Sequence, residues 1–183
     1  MATIEVFTGP MFAGKTTGLI DRMVFFSGAG VKTLLIKHAS DTRYAGAAVT
    51  THAGVALEAK PAMDVEALHV LVAEHPDVKV VGLDEVQFFG QAVIAWARDL
   101  RMRGVTVILA GLDRESTGNY FGPMPWLLAH ADVVHKLSAE CECGLKAYQT
   151  RRRTSAPSGM VGGAERYETL CWPCWFKKQG EAY

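Results

Sequence analysis

No stretch of this 183-residue chain approaches the ~20 apolar residues of a membrane-spanning helix, so no membrane partner is expected. The opening MATIEVFTGP lacks the charged n-region and apolar h-region of a signal peptide, so a cytoplasmic chain is expected. Neither sign of charge is in excess, with 19 basic and 19 acidic side chains. Proteins that track nucleic-acid backbones carry a basic excess or a basic face, so no nucleic-acid partner is expected either. Arg151, Arg152 and Arg153 form a local exception, read as a solvated strand end or as a contact to phosphate or substrate. Internal repeats and low-complexity segments are missing as well. Cysteine is sparse, at four residues, and in a cytoplasmic chain these are not expected to pair as disulfides. What is present, 49% apolar and 21% charged residues, suits one buried core with a modest appendage.

Residues 3–8 (TIEVFT) are β-rich and run into a glycine turn. Apolar residues at helical spacing then predict a helix over about residues 15–26. The strand expected at 31–38 is apolar almost throughout, as a strand covered on both faces should be. Residues 40–62 have no clear period and read as a loop with a short hairpin. A helix at 63–74, a buried strand at 78–84, a helix at 91–103 and a strand at 105–111 continue the alternation. A short helix at 125–131 precedes a fifth strand at 133–137. This order predicts an α/β fold, a parallel sheet with helices on both faces and the ligand beyond the carboxyl ends of the strands. From residue 140 the character changes to short segments, all four cysteines and a Ser/Gly-rich stretch at 154–163. The expected division is 1–139 for a triphosphate-binding α/β domain and 140–183 for a small second domain.

Residues 9–16 read GPMFAGKT, which fits G-x-x-x-x-G-K-[ST] between a predicted strand and helix, the context the motif requires. The glycines let backbone N–H groups turn inward around phosphates. The triphosphate-binding set is therefore Gly9, Pro10, Met11, Phe12, Ala13, Gly14, Lys15, Thr16 and Thr17. Lys15 would reach the β and γ oxygens, and the Thr16 hydroxyl would ligate Mg²⁺. The metal's second ligand should end another buried strand, and VVGLDEVQFF supplies Asp84 there. Glu85 follows on the turn, where a carboxylate either polarises water or takes a proton from a substrate hydroxyl. Spacing does not choose between these. In the loop after the second strand, Arg43 is placed to stabilise transferring charge and Asp41 to orient it, with a surface ion pair as the plainer reading. His52 in the same region reads as a structural histidine.

Cys141-x-Cys143 and Cys171-x-x-Cys174 bring two thiolate pairs onto two turns, a pattern that makes a tetrahedral cage for structural Zn²⁺. Free thiols or a redox pair are the alternatives.

Together these features resemble the zinc-containing thymidine kinases of the cellular and bacterial type, over nearly the whole chain. The resemblance rests on GPMFAGKTT at 9–17, DTRY at 41–44, TH at 51–52 and DEVQFF at 84–89. It continues through GLD at 111–113, FG at 121–122, the cysteine pairs and VGGAERY at 161–167. DEVQFF and GGAERY are the specific segments. The resemblance implies ATP-dependent phosphorylation of thymidine at the 5′-hydroxyl, with Mg²⁺ accompanying ATP. Glu85 matches the general base, and Asp41 and Arg43 match residues near the transferring phosphate. Phe88 matches an aromatic wall of the base pocket, and Gln87 belongs to the same segment. Met11, Leu112, Phe121, Thr150, Val161, Gly162, Gly163 and Tyr167 match positions around the nucleoside. The stretch 154–163 matches a lasso loop that closes over it. A homotetramer inhibited by dTTP is implied as well. The first cysteine pair departs from the family's usual C-x-x-C, and Ser116 stands where the family shows an aromatic residue, so either Tyr120 or Phe121 compensates or the pocket is looser. Phosphorylation of another deoxynucleoside is the alternative that Ser116 raises, and a zinc-ribbon NTPase acting on nucleic acid is a more distant one.

Overall fold

The computed structural model describes residues 1–40, 49–50, 56–153 and 164–180. Strand β1 (Ile4–Thr8) runs into the loop at 9–14, and α1 (Lys15–Gly28) returns the chain to β2 (Thr33–His38). A short antiparallel hairpin, β3 (Val49–Thr50) with β4 (Ala56–Leu57), precedes β5 (Ala59–Ala62). Then come α2 (Val65–Ala73), β6 (Val80–Asp84), a 3₁₀ turn (Val86–Phe89), α3 (Ala92–Met102) and β7 (Thr106–Gly111). Helix α4 (Met124–His130) and β8 (Val133–Lys136) complete this part. The other six strands form one sheet in the order β5-β2-β6-β7-β1-β8, parallel at every pairing.

Residue alternation along the strands explains why the sheet is covered twice. Ile4, Val6, Leu34, Ile36, Val81, Leu83, Val107 and Leu109 face one way and pack with α2, α3 and α4. Phe7, Leu35, Val80, Ile108 and Ala110 face the other way and meet Leu19, Ile20 and Met23 of α1. Gly82 lies under α1, where a Cβ would come within 2.8 Å of the Met23 sulfur, so the helix seats closely because that side chain is missing. Asp64 caps α2 by accepting from the Ala67 N–H at 2.8 Å, a bond that fixes where the helix begins.

The expected architecture is present, with one strand more than the five the sequence reading finds. β5, inside the stretch read as a loop, pairs with β2 from Leu35↔Ala59 to His38↔Ala62. Its sequence AKPA has no apolar run, and Pro61 cannot donate to a ladder. Both are tolerated because β5 is an edge strand.

Beyond β8, the hairpin β9 (Ala139–Glu140) with β10 (Lys146–Ala147) leads to an antiparallel ribbon of β11 (Gln149–Arg152) and β12 (Tyr167–Leu170). Helix α5 (Trp172–Gln179) closes the segment over a small cluster of Cys141, Ala147, Leu170, Cys171 and Trp175. Glu168 accepts from Arg151 and from Lys178, each at 2.9 Å, and lies 3.8 Å from Arg153. For Arg151 and Arg153 the arginine run is thus an ion-paired strand end. Among the described residues, no helix is long and apolar enough to cross a membrane.

Candidate active site

The loop at 9–14 leaves β1 at the carboxyl edge of the sheet, where two glycines allow its path. Gly9 has φ 143, and a Cβ there would lie 2.4 Å from the Leu137 carbonyl oxygen. Gly14 has φ 82 at the N-cap of α1, a left-handed conformation that glycine adopts without a steric penalty. Lys15 donates to the Pro10 carbonyl at 2.7 Å, so its ammonium lies across the mouth of the loop. Thr16 and Thr17 occupy the first turn of α1.

The Thr16 hydroxyl donates to Asp84 Oδ2 at 2.9 Å, and the Glu85 N–H donates to Asp84 Oδ1 at 2.9 Å. The P-loop hydroxyl and the strand-end carboxylate, 68 residues apart, therefore meet. Burial, together with the neighbouring Glu85 charge, pushes the Asp84 carboxyl up to about 6, against the Thr16 and backbone hydrogen bonds and the Lys15 charge. A buried carboxylate that resists ionising alone, beside a hydroxyl, is a hard-oxygen pair of the kind Mg²⁺ takes.

Glu85 sits in the left-handed region at φ 55. Among the described residues the only other non-glycine with positive φ is Phe12, in the phosphate loop. Both strained residues thus flank the same site, as expected where a fold holds functional groups in a set direction. Gln87 steadies Glu85, its amide Nε2 donating to Glu85 Oε2 at 2.6 Å while its Oε1 accepts from the Leu112 N–H at 3.1 Å. That second bond ties the turn after β6 to the end of β7.

Phe88 and Phe121 meet edge to face, with ring centroids 5.4 Å apart. Phe121 thus supplies a ring beside Phe88, while Tyr120 is 73% exposed and bridges to Arg114. The Met11 N–H donates to the buried Thr150 hydroxyl at 2.9 Å, joining the phosphate loop to β11. Tyr167 opens β12 opposite Arg152. Asp41, Arg43, Tyr44, His52, Val161, Gly162, Gly163 and the rest of 154–163 lie outside the described residues.

Three features escaped the sequence reading. One is the Met11–Thr150 bond, which no spacing rule announces. Another is the ion pair of Lys136 with buried Asp113, set by two strand ends on either side of β1. The last is His38, buried at the end of β2 against Phe88 and Phe89, where a histidine on a strand carries no periodic signal.

The four cysteine sulfurs lie within 4.8 Å of one another, and Cys143 and Cys171 are 3.6 Å apart. Four ligands ~2.3 Å from a central ion would stand about 3.8 Å apart, so the four sulfurs, the C-x-C pair included, are positioned to hold a metal ion. Burial raises the Cys141 thiol, but hydrogen bonds from the Cys143 and Cys171 backbones outweigh it and bring it to about 7. Hydrogen bonding among the thiols pushes Cys174 up to about 12. The Cys141 thiolate forms readily while Cys171 and Cys174 are held back, a conflict that a bound cation relieves.

A parallel sheet, a P-loop whose hydroxyl meets a strand-end carboxylate, and an acidic residue on the following turn define a P-loop nucleoside-triphosphate enzyme. A family model for thymidine kinase matches residues 2–175. Thymidine kinase of Bacteroides thetaiotaomicron is 38% identical over 97% of this chain and 89% of its own length. That of Coprothermobacter proteolyticus is 42% identical over 92% and 87%. The cytosolic thymidine kinase of Gallus gallus is 38% identical over 96% and 78%. The chain belongs to the thymidine kinase family, and its activity is the ATP-dependent phosphorylation of thymidine in nucleotide salvage.

Proposed function

We propose that Glu85 is the general base of this transfer, taking the proton from the 5′-hydroxyl of thymidine as that oxygen attacks the γ-phosphorus of ATP. The observation that carries this reading is the chain of bonds from Thr16 to Asp84 to the Glu85 backbone, continued by the Gln87 amide on the Glu85 carboxylate. It sets an acidic side chain next to the phosphate loop in one orientation, which is what proton abstraction needs. Lys15 and Arg43 stabilise charge on the phosphates, and Asp41 orients the transferring group. Thr16 and Asp84 would hold Mg²⁺, which when bound neutralises charge on the β and γ oxygens.

Phe88 and Phe121 form the aromatic side of the thymine pocket, with Met11, Gln87, Leu112, Thr150 and Tyr167 around it. Val161, Gly162 and Gly163 belong to a lasso that closes over the nucleoside and excludes water. The same pocket would take dTTP as a feedback inhibitor. The C-terminal domain, 140–183, is organised by structural Zn²⁺ on Cys141, Cys143, Cys171 and Cys174, and 1–139 is the ATP-binding domain. The protein works in the cytoplasm as a homotetramer. Val133 and Val134, 43% and 44% exposed on edge strand β8, support association, because an open apolar edge invites pairing.

Glu85→Gln tests the central role. We expect kcat to fall by about 10²–10⁴-fold, while calorimetry shows thymidine and ATP affinities within about threefold of the parent. Unchanged turnover removes Glu85 as the base.

A further inference from the structure

His38 is buried at the carboxyl end of β2, and no step of the transfer uses it. Phe88 packs against it with centroids 5.4 Å apart, and Phe89 meets it edge to face at 4.7 Å. Phe88 in turn carries Phe121 on another side. Both ring nitrogens are engaged. Nε2 lies 3.1 Å from the Met63 carbonyl oxygen, which only accepts, so the proton sits on Nε2. Nδ1 then accepts from the Ser40 N–H at 3.2 Å and from the Ser40 hydroxyl at 2.6 Å. Ser40 is the residue immediately before Asp41.

We propose that His38 is a positioning residue for the nucleoside: its neutral, Nε2-protonated ring fixes the plane of Phe88 and anchors the entry to the segment bearing Asp41 and Arg43. The proposal rests on the reading of Phe88 as a wall of the thymine pocket. Three physical arguments support it. A ring held by hydrogen bonds at both nitrogens cannot rotate, so the aromatic face that leans on it is held too. A charged imidazolium would turn Nδ1 into a donor facing the Ser40 N–H, breaking the anchor. Burial already disfavours that charge and keeps the ring below its ordinary titration range, despite the opposing pull of the Met63 carbonyl and the Glu85 carboxylate.

The test compares H38F, which keeps an aromatic ring but removes both anchors, with H38Q, which restores a donor and an acceptor. F88A serves as the control for the pocket itself. We expect H38F to raise KM for thymidine about tenfold while KM for ATP moves by less than about twofold, and H38Q to recover most of the loss. If F88A leaves KM for thymidine unchanged, the pocket reading fails whatever His38 does. If F88A raises it and folded H38F does not, or if H38F raises both constants alike, His38 is structural and the proposal is overturned. Should H38F not fold, ¹⁵N spectra of the histidine-labelled wild type decide, with the His38 signals assigned by their loss in H38Q. At pH 7 they should show the Nε2–H tautomer and should shift on adding thymidine but not on adding Mg·ATP. A charged ring, the Nδ1–H tautomer, or no response to thymidine overturns it.

Discussion

Among the described residues, twenty-two buried apolar residues fill the face of the sheet beneath α2, α3 and α4, and eight more fill the face beneath α1. The described part of the C-terminal segment gathers five, of which two are cysteines. Buried apolar area stabilises roughly in proportion to its extent, so the sheet holds itself while the small cluster cannot. Its shape comes instead from four converging sulfurs and from the three cations around Glu168. The phosphate end of the site is therefore built on a packed core, and the Thr150 end on a chemically clipped one. The Met11–Thr150 hydrogen bond is one place where the two meet, and Arg114 over the Trp172 ring is another.

Removing the proposed zinc should break this comparison open most widely. Structural zinc contributes on the order of 10 kcal/mol to small domains. Treatment with a strong chelator, or Cys171→Ser, should expose residues 140–180 to trypsin and abolish thymidine binding. Binding of Mg·ATP, read by calorimetry, should survive. Loss of both affinities together would show that the two regions fold as one unit.

Asp84 offers a smaller, sharper probe of the packed end. Its carboxyl ionises at about 6 in the fold against 3.8 when unfolded. Between those values the folded chain keeps a proton that the unfolded chain has lost, so stability falls as pH rises through the window. By pH 7 the full cost is present, on the order of 3 kcal/mol without metal. Asp84→Asn should therefore raise the metal-free melting temperature at pH 7 by several degrees, leave it nearly unchanged at pH 4, and abolish turnover. An unchanged or lowered melting temperature at pH 7 would mean that the carboxylate is not strained by burial.

Glu168 shows the opposite sign in the clipped segment. Burial alone would raise its carboxyl, but Lys178 and Arg151 outweigh it and hold the group below the ordinary 4.5. Its contribution is present above pH 4.5 and is lost as pH falls through the lower folded value. Glu168→Gln should cost about 1–3 kcal/mol at pH 7, seen as faster amide exchange in β11, β12 and α5 and little change in the sheet. The difference from wild type should narrow in acid. A uniform loss of protection would instead tie Glu168 to the stability of the whole chain.

The phosphate end was the more legible in the chain itself. GPMFAGKT between a strand and a helix, and Asp84 at the end of an apolar run, announce themselves because local backbone geometry and strand burial leave patterns in consecutive residues. The six-strand order was less legible, since β5 has neither an apolar run nor alternation and becomes a strand only because β2 offers it an edge. The cysteine spacing pointed to a metal, though it was the turns carrying C-x-C and C-x-x-C that brought the four sulfurs within 4.8 Å of one another.

By itself the sequence determined the P-loop, the acidic pair, the parallel α/β class and the likeness to thymidine kinases, each written in contiguous motifs. Only the tertiary structure decided that Thr16 meets Asp84, that Gln87 holds Glu85 against the end of β7, and that Thr150 receives the Met11 N–H. It alone placed His38 behind Phe88. Those contacts join residues far apart in the chain, and their partners are chosen by sheet order and packing, for which no local pattern of side chains can stand in.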